Sequence, residues 1–361
     1  MSRSISESTS IYLDLLRAAA MLLVFLVHMR NFLVPEMTWA IYGSEAVAVF
    51  FVLSGYATSY VIENKERTWR QFLAARVARI YPVAVLAVVM TWIVDTIGWH
   101  CDRAYYLDLA ARFFHRSTAG FDALTALRYL TFTDQLWFSH PIWGTNEPYW
   151  ALGFLVPYYV LAGLAAYLSR GKRIFWIAVW CLVCGPWMLL YVPLWLVGVL
   201  CQWLASRQVV RSGWLALGLL AGSWLVYREV VRTGLATGVS GIYLNTTIKV
   251  ALANFFYFTA VGLMAGMSIV AVDCWFGKRK VFPGWVARAI RWAAGGSFTL
   301  YVVHQPLAIL MSEFFRIGRD GLALRVVGIV LVFTIAMAVA ELGERRKRFW
   351  GRLTQKALGA G

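Results

Sequence analysis

The stretch LDLLRAAAMLLVFLVHMRNF, residues 13–32, decides the fold class of the chain. It is long and apolar enough to cross a bilayer as a helix, because a span needs about 20 predominantly apolar residues. It nevertheless carries Asp14, Arg17 and His28. Since ionisable groups are expensive in hydrocarbon, these three residues predict a helix whose polar face points into protein or a wet cavity.

Apolar runs of similar length recur along the whole chain. Of its 361 residues, 60% are hydrophobic and 14% are charged, whereas a soluble domain has about 45–50% apolar and about 25% charged residues. We therefore predict an all-α polytopic membrane protein with about ten transmembrane helices. It is expected to form a single membrane domain over residues 1–361, with its core at about 11–342 and a basic cytoplasmic tail at 343–361.

Lysine and arginine set the expected orientation, because the cytoplasmic loops of membrane proteins are enriched in them. With the N- and C-termini in the cytoplasm, 22 of the 34 basic residues fall on the cytoplasmic side. Arg17 lies inside the first span, and the remaining 11 fall on the outer side or at its boundary. The expected spans are 12–33, 43–62, 81–98, 148–168, 174–190, 192–205, 212–230, 250–270, 293–314 and 323–342.

Two segments between the spans have a different character. Residues 66–80 have the pattern of an amphipathic helix on the membrane surface, and residues 121–143 are expected to be interfacial or re-entrant. The net charge of +16 follows mainly from the orientation signal and from contact with anionic membrane lipids, so nucleic acid is not an expected partner. Cys181 and Cys184 form a CxxC motif without a second ligand pair nearby, and we expect packing there and no metal site.

Arg17 and His28 share one face of the first span. Their separation corresponds to about 1,100°, roughly 20° beyond three full turns, and to about 16 Å along the helix axis. Asp14 precedes Arg17 by three residues and can pair with it. A snorkelling arginine and a satisfied core histidine would explain each residue alone. Their common face favours a functional site in the bundle interior, with Asp14, Arg17 and His28 as catalytic candidates.

Arg76 and Arg79, in the segment RVARIYP at residues 76–82, lie at the expected cytoplasmic end of the third span. One interpretation is ordinary positive charge on the cytoplasmic side. The other is a phosphate clamp, because guanidinium groups match the geometry of phosphate oxygens. The spacing of three residues is compatible with both interpretations.

Polar and aromatic residues inside other spans are candidates to line a substrate channel. Ser54 is followed by a glycine, and such a small pair either lets helices approach closely or thins a channel wall. Trp150 is expected near the outer interface, where tryptophan is usually an anchor. Ser297, Tyr301 and His304 recur at the spacing of one helix face. The channel candidates are therefore Ser54, Tyr56, Trp150, Ser297, Tyr301 and His304.

Five sequence elements, in this order, resemble the acyltransferase 3 family of bacterial membrane O-acyltransferases. The resemblance covers essentially the whole chain, and the spacing of an arginine, ten residues and a histidine is its most specific element. The five elements are LDLLR with Arg17 and His28 in that spacing, FFVLSGY at 50–56, RVARIYP at 76–82, PYWALG at 148–153 and SFTLYVVHQP at 297–306.

The resemblance implies a ten-helix domain in the bacterial cytoplasmic (inner) membrane that takes an acyl group from cytoplasmic acyl-CoA. The expected acyl group is acetyl, with succinyl as the second choice. It is expected to move to a hydroxyl, usually of a sugar on a surface glycan or its lipid-linked precursor. By resemblance, His28 is the catalytic base, Arg17 its motif partner, and Arg76 and Arg79 bind the donor phosphates. Acyl-CoA is then a substrate, and no cofactor is bound permanently. Direct transfer and an acyl-histidine intermediate both stay open.

Two positions depart from the family pattern. Many members carry an acidic residue two positions before the FF pair, where this chain has Ala48. Many also carry a glutamate in the fourth span, where this chain has Leu155. The resemblance therefore leaves the second proton-handling group undefined.

A transporter or flippase is the runner-up interpretation, with Asp14, Arg17 and His28 lining a permeation path. Acyl-CoA hydrolysis that depends on His28 would favour the enzyme, whereas counter-ion-driven uptake without acyl transfer would favour the transporter. A scaffold subunit fits the composition but leaves the shared face of Arg17 and His28 unexplained.

Overall fold

The structure is a computed structural model that describes residues 5–114, 121–233, 248–277 and 279–359. It is 81% helix, and the described ranges contain no strand, which confirms the predicted all-helical class. In chain order the α-helices are α1 (Glu7–Phe32), α2 (Gly43–Asn64), α3 (Trp69–Cys101), α4 (Arg103–Phe114), α5 (Ala123–Thr131), α6 (Trp150–Tyr167), α7 (Arg170–Cys184), α8 (Pro186–Ser206), α9 (Gly213–Arg232), α10 (Ile248–Phe276), α11 (Gly284–Ala294), α12 (Ser297–Phe314), α13 (Leu322–Ala340) and α14 (Lys347–Leu358), with 3-10 turns at Glu147–Tyr149 and Glu344–Arg346.

Eight helices in the described part of the chain are long and apolar enough to cross a membrane. Two of the ten expected spans are not among them. One is α7, which has only 15 residues; the other is α12, whose interior carries His304, Gln305 and Glu313 and is almost entirely buried. The count of ten spans therefore stays a prediction, as does the cytoplasmic location of both termini.

The third helix is longer than expected. The sequence predicted a surface helix over residues 66–80 followed by a separate span from residue 81, but α3 runs without a break through its 33 residues. Pro82 lies inside it, because a proline removes only one intrahelical hydrogen bond and a long helix retains the bonds on either side. At 1.5 Å per residue α3 is about 50 Å long, enough to join a surface segment and a span in one rod.

Two other boundaries also differ from the prediction. The expected fifth and sixth spans, 174–190 and 192–205, meet at residues 190–192, but the break lies at Gly185, whose φ of +82° suits glycine. Pro186 begins α8, as proline commonly does at a first helical position, and Pro193 lies within α8. The ninth span begins at Ser297, since two glycines separate α12 from the short amphipathic helix α11.

The segment that follows α5 lies along α3. The Phe132 ring contacts Tyr81 at a centroid distance of 5.4 Å, and the Thr145 N–H and hydroxyl both donate to the Asp95 carboxylate at 2.7 Å. Tyr81 and Asp95 are about 21 Å apart along the axis of α3. The interfacial or re-entrant character of residues 121–143 stays a prediction.

Helices α2 and α8 approach so closely that their backbones touch. A Cβ atom on Gly55 would overlap the carbonyl oxygen of Trp195, and one on Gly198 would overlap that of Val52. Such glycines allow helices to pack where no hydrophobic effect drives them together. Helix α2 is thereby held with Gly55 toward α8, while the neighbouring Ser54 lines a cavity on another side.

We expect Gly198→Ala to lower the stability of the folded protein, because the new methyl group has to displace the α2 backbone. Overpacking of this kind typically costs about 1–3 kcal/mol. The apparent melting temperature of the detergent-purified protein measures the effect. Gly218→Ala is the matched control, since nothing lies within 4 Å of a Cβ there; equal melting temperatures for the two variants would contradict the close contact.

Candidate active site

The charged end of α1 forms the expected ion pair. Arg17 Nη1 donates to Asp14 Oδ1 at 3.3 Å. The two side chains retain only 24% and 23% of their exposure, so the pair is half-buried and can still be reached by a solute. Asp14 therefore neutralises part of the Arg17 charge and keeps the guanidinium on this face of α1.

A basic cavity surrounds this pair. Its charged lining consists of four cations and two carboxylates, and a net positive cavity suits a polyphosphate anion. Of these groups, Arg17 and Arg79 also line the next cavity along α1. The charged residues of the basic cavity are Asp14, Arg17, Arg79, Arg291, Glu344 and Lys347.

Glu344 joins the basic cavity to the start of α12. Its Oε2 accepts hydrogen bonds from the backbone N–H groups of Phe298 at 3.0 Å and Thr299 at 2.9 Å. A carboxylate at a helix N-terminus satisfies free N–H groups and interacts favourably with the helix dipole. Because Glu344 also interacts electrostatically with Arg17 and Arg79, it links the position of α12 to the two arginines.

A mainly apolar channel follows the basic cavity. Arg17 and Arg79 lie at one end and Tyr301 at the other, around an empty space of about 800 Å³ that includes its open part. Ser54 and Ser297 contribute hydroxyl groups to a wall that is otherwise aliphatic and aromatic. The channel can hold a slender, weakly polar chain better than a charged solute.

An outer cavity continues from the channel on the far side of Tyr301. Val47 and Tyr301 line both spaces, and the outer one encloses about 570 Å³ when its open part is included. The three cavities therefore lie in a row along α1. The polar and aromatic lining residues of the outer cavity are His28, Asn31, Ser44, Glu147, Trp150 and Tyr301.

His28 presents one ring nitrogen to the outer cavity. Its Nδ1 is buried and has no hydrogen-bond partner among the described residues, which leaves Nε2 as the nitrogen able to face the lining. The ring stacks on Phe32 at a centroid distance of 6.4 Å. An imidazole held in this way can exchange a proton with a group in the cavity.

His304 lies directly behind His28. The two rings are in a T-shaped arrangement with a centroid distance of 4.8 Å. His304 is fully buried, its Nδ1 lies 3.0 Å from the Leu300 carbonyl oxygen, and its Nε2 has no partner in the described part of the chain. Since a buried unpaired polar atom costs about 1–3 kcal/mol, two neighbouring unpaired nitrogens are a notable feature of this site.

A buried hydrogen-bond network fixes the backbone that carries Glu147. Thr145 is bonded to the Asp95 carboxylate of α3, and its carbonyl oxygen accepts from Gln305 Nε2 of α12 at 3.0 Å. Asn146 Nδ2 donates at 2.8 Å to a carbonyl oxygen of α12. The loop is thereby tied to two helices immediately before Glu147, whose carboxylate is held beside the outer cavity.

Arg76 lies outside the row of cavities. It forms an ion pair with Glu66 at 2.8 Å and lies over the rings of Phe72 and Tyr159 at 5.2 and 5.3 Å. It lines a separate apolar groove between α3 and α6. Arg79 lines the basic cavity and the channel, whereas Glu66 and the two rings hold Arg76 in this groove. The structure therefore does not bring the two arginines of RVARIYP together as one clamp.

The Arg76–Glu66 contact is itself largely shielded from water. Burial raises the pKa of the Glu66 carboxyl, and the positive charge of Arg76 opposes that rise. Because burial disfavours the charged form of the Glu66 carboxyl, that form depends on the neighbouring positive charge of Arg76. Arg76 is thus already committed to a structural ion pair.

Most of the predicted channel residues do line the cavities. Ser54, Ser297 and Tyr301 line the channel, Trp150 lines the outer cavity, and His304 contacts His28. His304 itself lines none of the three cavities, and Tyr56 lies outside the site altogether. It is buried beside a different, small cavity that Gln202 and Asp273 also line, because its side chain points away from Ser54 around α2.

Sequence reasoning did not single out Glu147, Asn31 or Glu344. Asn31 could have been found, since it follows His28 by three residues and so shares its helix face. Glu147 directly precedes the quoted segment PYWALG, but only the structure shows that it lines the same cavity as His28. Ala48 is fully buried and Leu155 lines the apolar channel, so no carboxylate stands at either departing position.

The comparisons with known proteins identify one family. A family model described as an acyltransferase domain matches residues 10–341, nearly the whole chain, which confirms the resemblance drawn from the sequence. The comparison with curated proteins gave no match, and neither did the comparison with solved structures. The matched range includes the basic cavity up to Arg291, the channel and the outer cavity, and it ends just before Glu344.

Proposed function

The chain belongs to the acyltransferase domain family, and on that premise we propose that it moves an acyl group, acetyl in first place, from cytoplasmic acyl-CoA to a hydroxyl of a cell-surface or lipid-linked glycan. The proposed location is the bacterial inner membrane. One observation carries the proposal: a basic cavity, an apolar channel and a cavity with an imidazole follow one another along α1. This order matches the parts of an acyl-CoA molecule, from its phosphates to its thioester.

The donor would enter from the basic cavity. Its phosphates are anions that Arg17, Arg79, Arg291 and Lys347 can bind with charge-assisted hydrogen bonds. The pantetheine arm is slender and only weakly polar, so it suits the apolar channel. The distance of about 16 Å from Arg17 to His28 along α1 is comparable with the length of that arm. The thioester then lies near Tyr301, between the channel and the outer cavity.

The acceptor would enter from the other end. Its hydroxyl attacks the thioester carbon while His28 Nε2 takes the hydroxyl proton as a general base. The carbon–sulfur bond breaks, the acyl group stays on the acceptor oxygen, and the CoA thiolate receives the proton from the imidazolium. Every atom is then accounted for without a resident cofactor. Glu147 and Asn31 can hold neighbouring hydroxyls of the acceptor, which fixes the reacting one against His28.

The row of cavities would also suit a permeation path, the second interpretation of the sequence. Membership of an acyltransferase family favours the enzyme. The mainly apolar lining of the channel favours it too, because a transporter for a polar solute has to pass that solute through this channel. Uptake driven by a counter-ion, with no acyl transfer, would reverse this preference.

We expect His28→Ala to fold and insert normally but to lose acyl transfer by a factor of about 10²–10⁴, the usual loss for a general base. The measurement is CoA thiol release from acetyl-CoA together with the acetyl content of surface glycans, at matched membrane abundance. His100→Ala is the control, since His100 is exposed and lies outside all three cavities. Near-full transfer by His28→Ala would refute the catalytic role of this residue.

Arg79→Ala is expected to weaken binding of acetyl-CoA more than it lowers turnover. A charge-assisted contact to phosphate contributes about 1.5–3 kcal/mol, which corresponds to roughly ten-fold to more than a hundred-fold in affinity. Titration calorimetry with acetyl-CoA measures it. The control is the double variant Arg76→Gln with Glu66→Gln, which removes the other arginine without leaving a buried carboxylate unpaired. If the control binds acetyl-CoA more weakly than the wild type while Arg79→Ala binds it with unchanged affinity, the donor phosphates would be assigned to Arg76.

Glu147→Gln is expected to lower acetylation of the native glycan by roughly ten-fold to a hundred-fold, since a hydrogen bond to a charged group contributes about 1.5–3 kcal/mol. Acetyl-CoA affinity should not change, because Glu147 lies on the acceptor side. Glu45→Gln is the matched control. That carboxylate accepts a hydrogen bond from Tyr257 and does not line the outer cavity. A change in donor affinity for Glu147→Gln would argue against an acceptor role.

A further inference from the structure

We propose that His304 is a positioning residue that holds His28 in one tautomer, the one whose Nε2 carries a free electron pair toward the outer cavity. This inference rests on the proposed function of His28 as a base. It adds the reason why Nε2 of that base is free to accept a proton. It assigns a role to a histidine that does not line the cavities itself.

The tautomer of His304 follows from its backbone contact. His304 Nδ1 lies 3.0 Å from the Leu300 carbonyl oxygen, and a carbonyl can only accept, so Nδ1 carries the hydrogen. A neutral imidazole has one donor and one acceptor nitrogen. His304 Nε2 is therefore an acceptor, and it is buried without a partner in the described residues.

The neighbouring nitrogen on His28 is also buried and unpartnered in the described ranges. The ring centroids are 4.8 Å apart in a T-shaped arrangement, and we infer that rotation of the rings pairs His28 Nδ1 with His304 Nε2 at a hydrogen-bond distance of about 2.7–3.2 Å. Only one pairing satisfies both atoms: His28 Nδ1–H donates to His304 Nε2. The hydrogen of His28 is then on Nδ1, and its Nε2 is free to accept a proton from the acceptor hydroxyl.

The surroundings hold the pair in place. Phe25 and Tyr301 contact the His304 ring at centroid distances of 6.3 and 6.2 Å, and Phe32 stacks on His28. No carboxylate in the described part of the chain forms a hydrogen bond with either ring. The orienting group is thus a neutral imidazole, where serine hydrolases use a carboxylate behind their histidine.

The pairing also accounts for the charge that develops during transfer. When His28 Nε2 takes the hydroxyl proton, the ring becomes an imidazolium whose Nδ1–H remains bonded to His304 Nε2. His304 stays neutral and gives up no proton, because its only hydrogen is bonded to Leu300. When the imidazolium passes its new proton to the CoA thiolate, His28 returns to its starting tautomer without a ring flip.

The direct test is ¹⁵N NMR of the full-length protein in bilayers, with ¹⁵N-labelled histidine and the His28 signals assigned by their loss in His28→Gln. We expect a single tautomer of His28 in the wild type, with hydrogen on Nδ1. His304→Phe keeps an aromatic ring but removes the acceptor, so a mixture of tautomers is expected there. His304→Gln offers an amide oxygen near the former Nε2 and should restore the Nδ1–H form. A wild-type His28 with its hydrogen on Nε2 would overturn the proposal, whether or not either variant folds.

Acyl transfer provides the second measurement. His304→Phe is expected to lower kcat by roughly ten-fold to a hundred-fold, the size typical of losing a group that orients a metal-bound histidine, while KM for acetyl-CoA stays unchanged. His304→Gln should recover most of that loss, which a merely space-filling role would not produce. Equal kcat for His304→Phe and the wild type would overturn the positioning role. If the NMR spectra show the expected tautomers but the protein transfers no acyl group, the result would support the histidine pair and refute the proposed function.

Discussion

Helix α12 can lie within this fold only because protein covers it on nearly every side. Fifteen of its 18 residues are buried, and among them are groups that hydrocarbon would not accept, His304 and Gln305 above all. Their partners come from the backbone of α12 and from the loop before α6. The free backbone N–H groups at the start of α12 need an acceptor, and the Glu344 carboxylate, which follows α13 in the chain, accepts from them. The position of α12 therefore depends on contacts with two distant parts of the chain.

This constraint organises the candidate site as well. The polar face of α1 packs against α12, so the residues that must avoid lipid on one helix are covered by the equivalent residues of the other. The cavities lie beside this contact, and α2, α3 and α6 supply much of their remaining lining. Polar groups in a membrane interior are tolerated along a wet or reactive path, and the row from Arg17 to Glu147 is such a path.

Local geometry made part of this arrangement predictable. The shared face of Arg17 and His28 follows from helix periodicity alone, and the structure places both residues along the same row of cavities. The continuity of α3 through Pro82 was not predictable, because a proline can end a helix or lie within it. Arg76 and Arg79 look equivalent in sequence. Only the ion pair with Glu66, ten residues away, separates them. Glu147 required contacts that span some 50 to 160 residues.

The mainly apolar channel between the basic cavity and the outer cavity has a consequence for the membrane as an electrical barrier. The basic cavity opens at one end of α1 and the outer cavity at the other, so the row of spaces extends along much of the membrane-crossing direction. A continuous file of water there would conduct protons and drain the transmembrane potential, which is worth about 2.3 kcal/mol per charge at 100 mV. The aliphatic and aromatic lining of the channel disfavours such a file. In the proposed reaction only the acyl group passes from the channel to the outer cavity, so the cell can modify an exterior molecule with an interior metabolite without giving up its ion gradients.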